Sequence, residues 1–115
     1  MSYVDGFVAA VATTDRENYR RHCEHAGSVF KSHGALAVVD CWGDDVPEGK
    51  LTSFPMAVKR QADETVVFGW IVWPSRAARD AGMAKAMADP RLQEVAMPFD
   101  GKRMIFGGFE TLTEA

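Results

Sequence analysis

The chain has 115 residues, near the commonest size for a single domain and long enough for one modest core. Its 47% hydrophobic and 25% charged content excludes a disordered polar chain, and a net charge of -3 with scattered Lys and Arg excludes the basic face that nucleic acid requires. The uncharged stretch from Gly6 to Thr14 is too short to cross a bilayer and follows no basic region, so a single cytoplasmic domain spanning 1–115, with no membrane or nucleic-acid partner, is expected.

In chain order, Tyr3 to Val11 alternates as a strand, with Val4, Gly6, Val8 and Ala10 on one face. Thr14-Asp15-Arg16-Glu17 has the spacing of a capping box, predicting a helix to about His33 closed by Gly34. Its apolar stripe is Tyr19, Cys23, Ala26 and Phe30 with Val29 beside it. Ala35 to Trp42 is a second strand, apolar on both faces except for Asp40, followed by a polar turn from Gly43 to Lys50. Leu51 to Lys59 is expected as an additional edge segment, because Pro55 lacks the donor a central strand needs. Thr65 to Trp73 is a strand, and Pro74-Ser75 opens a helix from Arg76 to Ala88. Asp89-Pro90 caps a short helical piece through Val95. A turn at Pro98 to Lys102 precedes the last strand, Arg103 to Thr113. Within it, Gly107-Gly108 predicts a bulge or a close backbone approach.

The order β-α-β-β-α-β predicts an α+β, ferredoxin-like domain with two helices on one face of a four-stranded antiparallel sheet. In Val66-Val67-Phe68-Gly69-Trp70-Ile71-Val72-Trp73 both alternate sets are apolar, yet two helices cover only one side of a sheet. The uncovered face is expected to carry Phe7, Val38, Trp42, Phe68, Trp70 and Phe106. Six large side chains at roughly 1.5–3 kcal/mol each are too many to leave wet, so a homodimer through the sheet face is expected.

Tyr3-Val4-Asp5-Gly6-Phe7, Cys41-Trp42-Gly43-Asp44-Asp45-Val46, Thr52-Ser53-Phe54-Pro55, Asp63-Glu64-Thr65-Val66-Val67-Phe68 and Met97-Pro98-Phe99-Asp100-Gly101-Lys102-Arg103-Met104 resemble the YbaA-like family of small bacterial proteins, across essentially the whole chain. The resemblance implies a dimeric α/β barrel and brings no catalytic residues with it.

Asp40 is the residue that most invites chemistry. A carboxylate in a Val- and Ala-rich run must find a partner or have its pKa raised by desolvation. Asp5 and Glu110 fall on corresponding alternations of their strands. With Trp42, Trp70 and Phe106 these carboxylates are expected to line a small-molecule pocket, making Asp5, Asp40, Trp42, Trp70 and Glu110 the candidate ligand-binding residues. The competing expectation is that each carboxylate is solvated or paired with Arg79, Arg103 or a backbone donor.

His22, Cys23 and His25 crowd one helix, but the i, i+4 spacing of a helical zinc site is absent, so no metal is expected; His33 is expected to favour the helix C-terminus. Asp44 and Asp45 have ordinary turn composition. The cysteines match no redox or zinc spacing and are expected as core thiols. Met83 and Met87 are expected as core filler, and Met97 and Phe99 as cover for a sheet edge or cavity mouth. No glycine-rich phosphate loop occurs, so no cofactor is expected. The functional expectation is a small-molecule-binding homodimer. The alternatives are a cofactor-independent oxygenase- or isomerase-like enzyme, by analogy with the superfamily, and a partner-binding dimer without ligand.

Overall fold

A computed structural model describes residues 2–115. Four strands, β1 (Tyr3–Ala12), β2 (Ala37–Trp42), β3 (Glu64–Trp73) and β4 (Ile105–Glu110), form one antiparallel sheet in the order β2-β3-β1-β4. With helices α1 (Arg16–Ser32) and α3 (Arg76–Ala88) between them, this is the ferredoxin-like arrangement expected from the element order. Two one-turn helices, α2 (Phe54–Ala57) and α4 (Pro90–Gln93), complete it.

Capping chemistry sets the helix boundaries. Ser75 accepts from the Ala78 N–H at 3.0 Å and Asp89 from the Arg91 N–H at 2.9 Å, satisfying donors that have no intrahelical partner. Gly34 closes α1 at φ 109°, with its N–H on Lys31 O and the Ala35 N–H on Phe30 O, the paired bonds of a Schellman motif. This closure uses Ala35, so β2 begins at Ala37 rather than Ala35. The start of α1 departs from the capping box: a 3-10 turn at Thr13–Asp15 leads into the helix and Asp15 makes no side-chain cap bond. Glu17 reaches Arg20 instead.

The segment expected as an edge strand is α2. Ser53 accepts from the Met56 N–H at 3.1 Å with Pro55 in the first turn, where its missing N–H costs nothing. Pro55 and Val58 are buried, and Val58 packs on Val8, Ala10 and Val66. The last strand is shorter than expected, because Arg103 and Asp100 hold a turn by side-chain and backbone bonds.

The register divides the sheet differently from the expected grouping. Tyr3 opposes Trp73 and Phe7 opposes Gly69, whereas Val38 opposes Ile71 and Trp42 opposes Val67. Opposed residues share a face, so Phe7, Val38, Trp42 and Phe106 lie toward the helices, and of the six only Phe68 and Trp70 lie on the open face. Alternation fixes faces within a strand; the pairing between strands decides how those faces combine. An open apolar face exists nonetheless. Val4, Val8, Val39, Val66, Phe68, Trp70, Val72, Ile105 and Phe109 share it; Val58 covers Val8 and Val66, while Phe68 is 41%, Ile105 44% and Phe109 63% exposed.

Beneath the helices, Trp73 is fully buried with Tyr3, Ala35 and Ile71, against Phe30 and Met83. Met87, expected in the core, is 51% exposed; of the pair, Met83 packs against the Trp73 cluster. Cys41, also expected in the core, is exposed on the open face. Gly107-Gly108 makes no bulge, since pairing with β1 is continuous. A Cβ at Gly108 would strike the Tyr3 ring and the Arg79 guanidinium, so close approach is what this glycine allows.

Arg103 clasps Glu64 through two bonds of 2.7 Å and also donates to Lys59 O, tying the base of β4 to β3. The Arg103 bonds hold the Glu64 carboxyl at about 2, well below its ordinary value. A depressed pKa contributes stability that is fully present above the unfolded value near 4.5 and is lost as pH falls toward 2. Glu64→Gln is expected to cost about 1–2 kcal/mol at pH 7 and little at pH 2.5, read from urea melts at the two pH values.

Candidate functional site

Along α1, Arg16, Tyr19, Arg20, Cys23, Glu24, Gly27, Ser28 and Lys31 recur at three- and four-residue spacing, so they form one helix face. That face is turned toward Val38, Asp40 and Trp42 of edge strand β2, and the two walls enclose an open groove of about 650 Å³. The two walls come within ordinary contact distance at Gly27, where a Cβ would lie 3.6 Å from Val38 Cγ1. On its floor, Gly69 of β3 leaves room for the Phe7 ring and for Asp40 Oδ1, both of which a Cβ at 69 would strike.

Aromatic rings build the Trp42 end. Tyr19 and Trp42 have ring centroids 6.1 Å apart at 47°, and Phe99 meets Tyr19 edge-on at 6.4 Å. The Arg16 guanidinium lies 5.6 Å over the Trp42 ring, an attraction to the ring's negative face. Phe99 thus packs behind the site, and the turn carrying it closes that end.

The polar centre is Tyr19–Cys23–Asp40. Burial and the neighbouring Asp40 push the Cys23 thiol up to about 12, and burial likewise raises the Tyr19 hydroxyl. Asp40 is exposed on its edge strand. Desolvation by the groove walls raises its pKa, partly offset by the Cys23 thiol donating toward it. The Tyr19 hydroxyl and the Cys23 thiol thus stay protonated, giving the groove hydrogen-bond donors at its centre, with cations at its rim. A thiol so placed is a poor nucleophile, because reactivity belongs to the thiolate.

Of the candidate residues, Asp40 and Trp42 meet in this groove, and the other three lie elsewhere. Asp5 is held by Arg79 through bonds of 2.9 to 3.1 Å and accepts from Trp73 Nε1 at 3.0 Å, a structural ion pair of the kind the competing expectation described. Glu110 is exposed at the end of β4. Trp70 lies on the opposite face, its ring 5.6 Å from Phe68. Tyr19, Cys23 and Gly69 complete the site but read in sequence as core stripe and strand interior; their signal was position, opposite Asp40, rather than residue type.

The histidines do not converge with Cys23. His25 Nε2 lies 2.8 Å from Arg91 O and His33 Nε2 lies 2.8 Å from Asp89 Oδ2, so His33 is tied to α4's cap rather than poised over the end of its own helix. Asp44 and Asp45 are exposed. They border a smaller recess of about 290 Å³ on the open face with Cys41, Phe54, Val66 and Phe68. Trp42 lines this recess as well as the groove.

A family described as "Protein of unknown function (DUF1428)" matches residues 2–101. The chain belongs to this family. A DUF1428 relationship also fits the similarity to "Uncharacterized protein YbaA" of Escherichia coli (strain K12), 53% identical over 116 residues and 99% of each chain, which agrees with the family resemblance of the motifs. Among solved structures, the fold is similar to a dimeric ferredoxin-like protein from an uncultured marine organism, with TM-score 0.63, 13% identity and coverage of 99% and 98% of the two chains. It is also similar to a variant of SnoaB, a cofactor-independent oxygenase from Streptomyces nogalater, with TM-score 0.55, 11% identity and coverage of 98% and 95%. At such identities these two likenesses speak for the fold of the DUF1428 chain alone. No helix among the described residues is long and apolar enough to cross a membrane.

Proposed function

We propose that this protein is a homodimer, paired through its open sheet face, that binds a small molecule in the groove between α1 and β2. The observation carrying the binding role is the meeting of Asp40 with Trp42, Tyr19 and Cys23 in a groove of about 650 Å³, a size suited to metabolite-sized ligands. The protonated Tyr19 and Cys23 beside an aromatic wall support recognition of a ligand's acceptor atoms, and a thiol raised to about 12 argues against nucleophilic catalysis there. Phe68, Ile105 and Phe109 support pairing, since the open face of the single chain leaves them exposed, and the dimeric ferredoxin-like neighbour is consistent with it. Trp70 belongs, on this reading, to the pairing face. Two free thiols support a reducing, cytoplasmic setting.

A thermal-shift screen of aromatic and small acidic metabolites is the test. At least one class is expected to raise the melting temperature by several degrees through preferential binding to the folded state. Asp40→Asn and Trp42→Ala should each weaken that shift at least tenfold in ligand concentration. A flat screen across all classes would count against the binding role.

A further inference from the structure

Resting on the groove being a ligand site, we infer that its ligand is a small aromatic molecule bearing an acidic group, with the ring against Trp42 and Tyr19 and the acid at the Arg16 guanidinium. The chain as a whole is acidic, at -3, yet the helical wall of the groove sets Arg16, Arg20 and Lys31 against the single carboxylate of Glu24. That local reversal of sign favours an anionic ligand.

The three cations are not equivalent. Arg20 is engaged by Glu17 and Glu24. Lys31 lies 15 residues beyond Arg16, about 22 Å along the helix axis, out of reach of a small molecule seated at Trp42. Among the described residues Arg16 has no carboxylate within ion-pair distance; its guanidinium rests 5.6 Å over the Trp42 ring. Such a contact is weak at an exposed site, about 0.5–1 kcal/mol, whereas a carboxylate takes two parallel charge-assisted bonds from the same planar fork. Arg16 is therefore held in place and still has its fork to offer.

The neighbouring residues select the rest of the ligand. Trp42, packed on the buried Tyr19 ring at 47°, gives the groove an aromatic wall that rewards an aromatic body over an aliphatic one. Asp40 is two residues from Trp42 on β2, about 6.6 Å along the strand and comparable to the reach across one substituted ring. A hydroxyl on the far side of the ring from the acid would donate to the Asp40 carboxyl. An amine in the position of the acid would meet Arg16 and be repelled.

The full-length protein, titrated with benzoate and 4-hydroxybenzoate against benzamide and 4-hydroxybenzamide, separates the classes. Binding is read from the Trp42 indole N–H resonance, assigned with Trp42→Phe. The acids are expected to bind at least tenfold more tightly than their amides, and Arg16→Gln, at an exposed position in the first turn, is expected to remove that preference while the melting temperature stays unchanged. Amides binding as tightly as acids, or an acid preference that survives Arg16→Gln, would overturn the ligand class and leave the groove as a binding site. No response of the Trp42 indole to either series would overturn both.

Discussion

Trp73→Ala is expected to destabilise the domain by about 3–5 kcal/mol, a large share of the stability a chain of this size has. Trp73 is fully buried and is where both long helices meet the sheet: Phe30 of α1 and Met83 of α3 pack against its cluster. Its ring also occupies the space where a side chain at Gly82 would stand, so α3 lies close to the sheet because of that glycine. Truncation leaves a cavity and removes the indole N–H from Asp5, which keeps only Arg79. The cavity gives the prediction a second arm. Gly82→Ala in the native background must displace both the Trp73 ring and the His33 carbonyl, and is expected to cost about 1–3 kcal/mol. In the Trp73→Ala background the part of that cost due to the ring should vanish, leaving the part due to the His33 carbonyl, as partial non-additivity measured by urea unfolding. Additive effects would show that Gly82 is not limited by the ring.

Phe109→Asp is expected to convert the proposed dimer to a folded monomer. Phe109 is 63% exposed in the single chain, so a charge there asks little of the subunit's own core. In a sheet-to-sheet interface the same carboxylate would be desolvated without a partner, at a cost of several kcal/mol, raising the dissociation constant at least a thousandfold. Phe68→Asp, on the same face, is expected to act in the same direction, with some added loss from its edge contact with Phe54 at 6.0 Å. Sedimentation at micromolar concentration reads the mass directly: the wild type at twice 12.6 kDa and Phe109→Asp at once that value, with an unchanged circular dichroism spectrum. A wild-type monomer at that concentration would sink the proposed pairing.

Much of the fold was readable from local chemistry. Ser75, Asp89 and Gly34 announce helix ends because caps act within a few residues, and α3 spans Arg76–Ala88 as its cap and composition predicted. Ser53 carries the same kind of signal, but a proline two residues on is compatible with an edge strand as well as with a helix's first turn. Which aromatics share a face depends on β1–β3 and β2–β3 pairing, a long-range property that no single strand records. The site was half legible. Asp40 stood out because a carboxylate in an apolar run needs an explanation. Tyr19 and Cys23 did not, since residues that fill a core and residues that wall a groove follow the same helical period. Arg16 looked like one surface charge among many until the structure set it over Trp42.

Trp42 is a common partition between the helix-side groove and the recess on the opposite face, so a tenant that moved the indole on one side would reshape the wall of the other. If a bound molecule tilts the indole in a way that tightens the union of two copies, that union must tighten the hold on the molecule by an equal factor. Affinity measured on dilute protein would then understate what a concentrated solution holds.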